Sequence, residues 1–138
     1  MKLYNFHTIL ERDNCSLIFV SMNIEVFREY CLSKPMTTEE LPFDDRALVF
    51  KVAGKIFAIT DIELFERVNL KCDPERAIEH REQYDQVNPG FHMNKKHWNT
   101  ITIEGVPSKL FLEWVDHSYE MVIKGLPKKM RDEISSMA

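Results

Sequence analysis

The chain has 138 residues, of which 44% are apolar and 29% charged, with a formal charge of −4. That length and balance suit one globular domain with a sizeable core. The acidic sum excludes a protein whose whole surface clings to nucleic acid and leaves room only for a local basic patch.

Residues 1–21 follow neither a helical nor a strand period, and Met22 stands directly before a helix start. The compact domain is therefore expected over 22–130, with 1–21 an N-terminal extension from an upstream start and 131–138 a C-terminal tail. Asn23 is a capping residue, and Ile24, Phe27 and Cys31 recur on one helical face until Lys34-Pro35 closes the helix. TTEELPFDD (37–45) reads as an acidic loop anchored by Phe43.

Strand signals follow. Leu48, Phe50 and Val52 alternate with Val49 and Lys51, Ala53-Gly54 marks a tight turn, and KIFAIT (55–60) returns to complete a hairpin. In VNLKC (68–72), Val68, Leu70 and Cys72 face inward and Asn69 and Lys71 outward. Asp73-Pro74 starts a helix that runs to about Tyr84. Asn88-Pro89-Gly90 predicts a turn with glycine at a positive φ, leading into the strand TITI (100–103). A last helix, capped by Ser108, buries Phe111, Trp114, Val115, Ser118 and Val122 and stops at Gly125-Leu126. Short connections between strands predict an α+β fold, a largely antiparallel sheet with helices on one face.

Three cysteines, Cys15, Cys31 and Cys72, are odd in number and form no CxxC pair. They read as reduced thiols of a cytoplasmic protein. No apolar run approaches the roughly 18 residues of a membrane span.

The densest set of reactive groups is HMNKKHWNT (92–100). His92 and His97 are five apart, which puts them on opposite faces of a strand and about 140° apart on a helix, so they do not converge on a metal. DHSY (116–119) suggests a catalytic triad, but consecutive helical residues diverge by about 100°; Ser118 is expected to pack inward while Asp116, His117 and Tyr119 make local hydrogen bonds. With four glycines in the chain, a phosphate-cradling loop is hard to build. No cofactor, metal or catalytic residue is assigned.

Parity gives a more specific picture of the sheet. If Ile101 and Ile103 face the helices, Trp98, Thr100 and Thr102 turn the other way, together with Lys51, Asn69 and Lys71. The uncovered face then presents lysines and an indole, with Lys95 and Lys96 at its edge. Lysines contact phosphate oxygens as point charges, and an indole offers a stacking face. A solvated sheet face carrying lysine and threonine accounts for the same pattern without a ligand. Lys124, Lys128, Lys129 and Arg131 form a second basic cluster, read as a solvated tail after the last helix.

In order and spacing, MNIEVFREYCLSKP, LPFDD, LVFKVAGKIFAI, VNLKCDPE, PGFHMNKKHWNT and DHSYEMVIKGLPKK resemble the MmcQ/YjbR family over roughly Met22 to Met130. The resemblance implies a CyaY-like two-layer α/β sandwich in a bacterial cytoplasmic protein with a DNA-binding role. It points to Asn94, Lys95, Lys96, His97, Trp98 and Asn99. The chain departs from the family pattern at Ala53-Gly54, where two glycines are common, and at PFDD, where a glycine often follows PF.

The function expected is a non-enzymatic DNA-binding module using Lys51, Lys71, Asn94, Lys95, Lys96, His97, Trp98 and Asn99. The alternative is a protein-interaction module on the same face around Trp98, which the acidic balance favours. A third class, an enzyme or small-ligand binder, requires a closed pocket uniting two of His92, His97 and His117.

Overall fold

The computed structural model of the chain describes residues 22–41 and 46–137. The expected extension 1–21 and the Phe43 anchor lie outside the described residues. The elements are α1 (Ile24–Leu32), β1 (Thr37–Glu40), β2 (Ala47–Val52), β3 (Lys55–Asp61), β4 (Arg67–Lys71), α2 (Pro74–Gln83), β5 (Val87–Pro89), β6 (Trp98–Thr102), α3 (Ser108–Lys124) and α4 (Lys128–Met137). The strands form one sheet in the order β1-β2-β3-β4-β6-β5, every neighbouring pair antiparallel.

Helix starts follow the capping chemistry. The Asn23 side chain accepts from the Val26 N–H, and Asp73 accepts from Glu75 and Arg76 with Pro74 at the first helical position. At α3 the cap position belongs to Pro107, and Ser108 is the first helical residue instead of the cap.

The helices line one face, giving the expected two-layer α+β sandwich. α3 crosses β2, β3 and β4, while α1 packs beside β1 and α2 beside β5. Leu48, Phe50, Val52, Val68, Leu70 and Ile101 turn toward this layer and join Phe27, Phe111, Val115 and Tyr119 in the core. Phe27 meets the Phe50 ring edge-on at 5.3 Å and Phe57 meets Tyr119 likewise at 5.3 Å. Edge-to-face pairs of this kind add about 0.5–1.5 kcal/mol beyond area burial.

Three local expectations are corrected. TTEE is not loop but the edge strand β1, paired along β2 from Thr37↔Val52 to Glu40↔Val49. Asn88-Pro89 belongs to the edge strand β5, where a proline without an N–H is tolerated. Residues 128–137 are a helix with Ile134 buried, so the C-terminal segment is a packed element and not a solvated tail. Among the described residues no helix is long and apolar enough to cross a membrane.

Candidate functional site

The sheet opens at one end. β2 pairs with β3 as far as Val52↔Lys55, and β4 pairs with β6 as far as Lys71↔Trp98. Between them, the β3–β4 ladder stops at Ala58↔Leu70, the last of its three pairs. The divergence follows a bulge: the β2–β3 register shifts between Phe50 and Lys51, leaving Phe57 as the extra residue. Both Phe57 and Ala58 stay in the core, while Ile56 pairs with Lys51 on the open face.

Ser118 secures the parted backbone from the helix layer. Its hydroxyl accepts from the Lys71 N–H at 2.8 Å and donates to the Phe57 carbonyl at 2.5 Å. The side chain is fully buried, so two backbone groups that lost their ladder partners are satisfied without water.

The parted ends frame a groove of about 500 Å³. One wall carries the cross-strand pair Lys51–Ile56 with Lys55, the other the cross-strand pair Lys71–Trp98, and Val122 and Leu126 of the helix layer also line it. Three of the expected residues, Lys51, Lys71 and Trp98, thus meet in one place. Lys51 is paired with Glu40 at 3.1 Å. Lys55 is exposed just after the hairpin turn, whose two residues Ala53 and Gly54 have φ of 51° and 83°. Positive φ at both positions is the geometry that matches the twist of a two-residue hairpin.

Trp98 is held from behind. Gly90 donates its N–H to the Trp98 carbonyl at 2.8 Å, and a Cβ on Gly90 would come within 2.7 Å of the Trp98 Cβ. Glycine is required here for close approach. The positive φ expected at Gly90 falls instead on His92, at 59°.

The remainder of HMNKKHWNT builds the turn before β6. Asn94 Oδ1 accepts from Lys96 N–H at 2.9 Å and His97 N–H at 3.3 Å, an Asx arrangement that satisfies backbone where regular pairing lapses. The Lys95 ammonium donates to the Gly90 carbonyl at 2.9 Å, and the His97 carbonyl accepts from Cys72 N–H. Lys96 is exposed. Asn94, Lys95, Lys96 and His97 therefore adjoin the groove without lining it. Asn99 is a correction: it is 2% exposed and points to the helix layer, accepting from Arg81 Nε at 2.7 Å and donating to the Ala77 carbonyl. Parity with Trp98 outward requires this.

DHSY is also corrected in its reach. Its hydrogen bonds are not local but join distant elements. Asp116 accepts from the Tyr30 hydroxyl at 2.6 Å and from Lys34, and Tyr119 donates to the Pro35 carbonyl at 2.5 Å. Burial pushes the Tyr119 hydroxyl up to about 12. His117 Nε2 accepts from the Asp73 N–H, and its Nδ1 lies 3.2 Å from the Arg76 guanidinium. Burial first, then Arg76, lowers its pKa. Beside it, a void of about 10 Å³ is lined by His80, His117, Cys72 and Trp114, room for no more than one water. Burial pushes the Cys72 thiol up to about 11. Among the described residues no three His, Cys, Asp or Glu side chains are placed to share a metal.

A second groove, about 470 Å³, runs over the open face between Arg46, Arg67, Asn69 and Thr100. Leu64 and Phe91 at this groove are 59% and 57% exposed. Thr100 is nearly buried because the Phe91 N–H reaches its hydroxyl, which in turn donates to Asn69 Oδ1. Arg46 is paired with Asp61 at 2.8 Å.

Sequence reasoning missed Lys55 and Arg81. Lys55 was legible as the residue after the Ala53-Gly54 turn. Arg81 gave no periodic signal, since its role depends on a tertiary approach to Asn99 and to the Lys95 and Trp98 carbonyls.

A family model described as YjbR matches residues 32–121. The Escherichia coli K12 protein YjbR, described as uncharacterized, is 34% identical over 112 residues, covering 80% of this chain and 95% of its own. The protein YbdF of Escherichia coli O157:H7, also described as uncharacterized, is 32% identical over 107 residues, or 76% of this chain and 88% of its own. Among solved structures, the Deinococcus radiodurans protein DR2400, with the domain DUF419, superposes with a TM-score of 0.77 at 40% identity over 82% of this chain and 88% of that one. A Pseudomonas syringae protein shares the fold at a TM-score of 0.62 and 24% identity, covering 72% and 98%.

Proposed function

The chain belongs to the YjbR family, and we propose that it acts as a non-enzymatic DNA-binding protein of the cytoplasm, with the groove between β3 and β4 as its contact surface. The observation that carries this reading is the meeting of two cross-strand pairs, Lys51–Ile56 and Lys71–Trp98, on either side of one groove. Lys55 and Lys71 neutralise phosphates, and the Trp98 indole contributes a stacking surface. Lys51 joins them when phosphate displaces Glu40 from its 3.1 Å pairing. An overall charge of −4 does not oppose this, because contact energy depends on the local field within about 10 Å of the surface at 0.1 M salt. Buried, reduced Cys31 and Cys72 suit a reducing compartment.

Backbone and indole resonances of the labelled protein, followed while an oligonucleotide is titrated in, test the reading. Movement concentrated at Lys55, Ile56, Lys71 and the Trp98 indole supports it. A titration that leaves those resonances in place overturns it.

A second reading, a protein-interaction module, draws on the other groove of the same open face. Leu64 and Phe91 are more than half exposed there, and exposed large apolar groups clustered on a face suit a protein partner.

A further inference from the structure

The groove is a slot through a parted sheet, and its shape selects among nucleic-acid forms. Resting on the DNA-binding reading above, we infer that the ligand is single-stranded DNA, with one unstacked base held against Trp98.

Three features of the slot lead to this. First, its lining is mixed: Ile56, Trp98, Val122 and Leu126 supply apolar surface between the lysines. In a duplex, each base is stacked on both faces and offers only its edges in the grooves. Apolar walls around an indole face are used most fully by a base that has left its stack.

Second, the cations lie on both walls. Lys51 and Lys55 stand on the β2–β3 side and Lys71 on the β4–β6 side. This suits one backbone crossing the slot, with its phosphates met from each side and a base directed inward. With few cations, phosphate contact alone gives weak, strongly salt-dependent binding. Stacking is the term that adds affinity without requiring sequence.

Third, the backbone that carries Trp98 is fixed before any ligand arrives. Gly90 packs against its Cβ, and its carbonyl accepts from both the Gly90 N–H and the Arg81 guanidinium. With the backbone pre-positioned, only the side chain is left to order on binding, and this lowers the cost of capture.

The full chain is titrated by anisotropy into a labelled thymidine strand of about 15 nucleotides and, separately, into the same strand paired with its adenine complement, both at about 50 mM salt where phosphate contacts are strong. The single strand is expected to bind at least about tenfold more tightly than the duplex. Trp98→Ala removes that advantage and Trp98→Phe, which keeps a ring, retains most of it. Both variants are checked by circular dichroism, and the Phe variant guards against a loss that merely reflects misfolding. Duplex binding equal to or tighter than single-strand binding overturns this inference and leaves the DNA-binding reading standing. Absence of binding to either probe overturns both.

Discussion

The buried hydroxyl of Ser118 accepts the backbone N–H of Lys71 at 2.8 Å, so the helix layer holds the strand end that carries a groove lysine. The same oxygen donates to the Phe57 carbonyl on the opposite strand. Ser118 thus keeps β3 and β4 apart while satisfying both. Ser118→Ala leaves two backbone groups without this partner, and a buried unsatisfied group costs about 1–3 kcal/mol. The urea midpoint should fall by the equivalent of about 2 kcal/mol with the slope unchanged. An unshifted midpoint contradicts the role assigned to Ser118.

Two glycines separate packing from backbone conformation. Gly54 has φ of 83° with nothing within 4 Å of an added Cβ, so Gly54→Ala meets only a conformational cost of about 1–2 kcal/mol. Gly90→Ala instead drives a methyl to 2.7 Å from the Trp98 Cβ and 2.9 Å from its carbonyl. Gly90→Ala should alter Trp98 fluorescence, whereas Gly54→Ala, with no atom within 4 Å of its added Cβ, should leave that fluorescence unchanged. Equal behaviour of the two variants contradicts the account of Gly90.

Asn99 separates fold from binding. Asn99→Ala strips Arg81 Nε of its 2.7 Å acceptor at a site 2% exposed. A loss of about 1–3 kcal/mol in stability follows for a broken buried hydrogen bond involving a charged group. Oligonucleotide affinity of the folded variant should stay within about twofold, well under the tenfold that 1.4 kcal/mol represents. A larger loss of affinity with stability intact would return Asn99 to the contact surface.

The α2–α3 contact sets a pH dependence. The pKa values of His117 and His80 are both lowered, chiefly by burial and then by Arg76. Asp73 opposes the shift at His117 and Glu79 the shift at His80, whereas His80 and Lys124 add to the lowering at His117. A folded pKa below the unfolded value of about 6.5 means that the unfolded chain binds more protons, so stability rises with pH across that window. It is complete above about 6.5 and declines as pH falls toward the lowered folded values. Urea midpoints at pH 7.5 and 5.5 should differ in that direction, and His117→Gln should flatten the difference. A wild-type midpoint that rises on acidification contradicts the assignment.

Much of this was legible from alternation. Lys51, Lys71 and Trp98 were separable from Phe50, Leu70 and Ile101 because side chains in a strand alternate between faces, and the groove gathers those three. The groove itself was not legible. It exists because the β3–β4 ladder stops at Ala58↔Leu70, and the bulge at Phe57 leaves no mark in a run of apolar residues. β1 was hidden because two glutamates on a short edge strand look like loop chemistry, although one of them, Glu39, is held by Arg28. α4 was hidden because only Ile134 is buried among its polar residues. Asn99 shows the limit of arguing from a motif, since residues contiguous in a strand serve opposite faces.

The central claim is that Lys51, Lys55 and Lys71 meet the phosphates of one strand. The most direct test is the salt dependence of affinity for the labelled thymidine strand, for the wild-type chain and for Lys71→Ala. Each phosphate neutralised on a single strand contributes a slope of about −0.7 in log K against log salt. Three lysines predict a slope near −2, and the Lys71→Ala slope should be shallower by about 0.7. Binding that is insensitive to salt, or a slope that Lys71→Ala leaves unchanged, would contradict the account and assign the groove to a different partner.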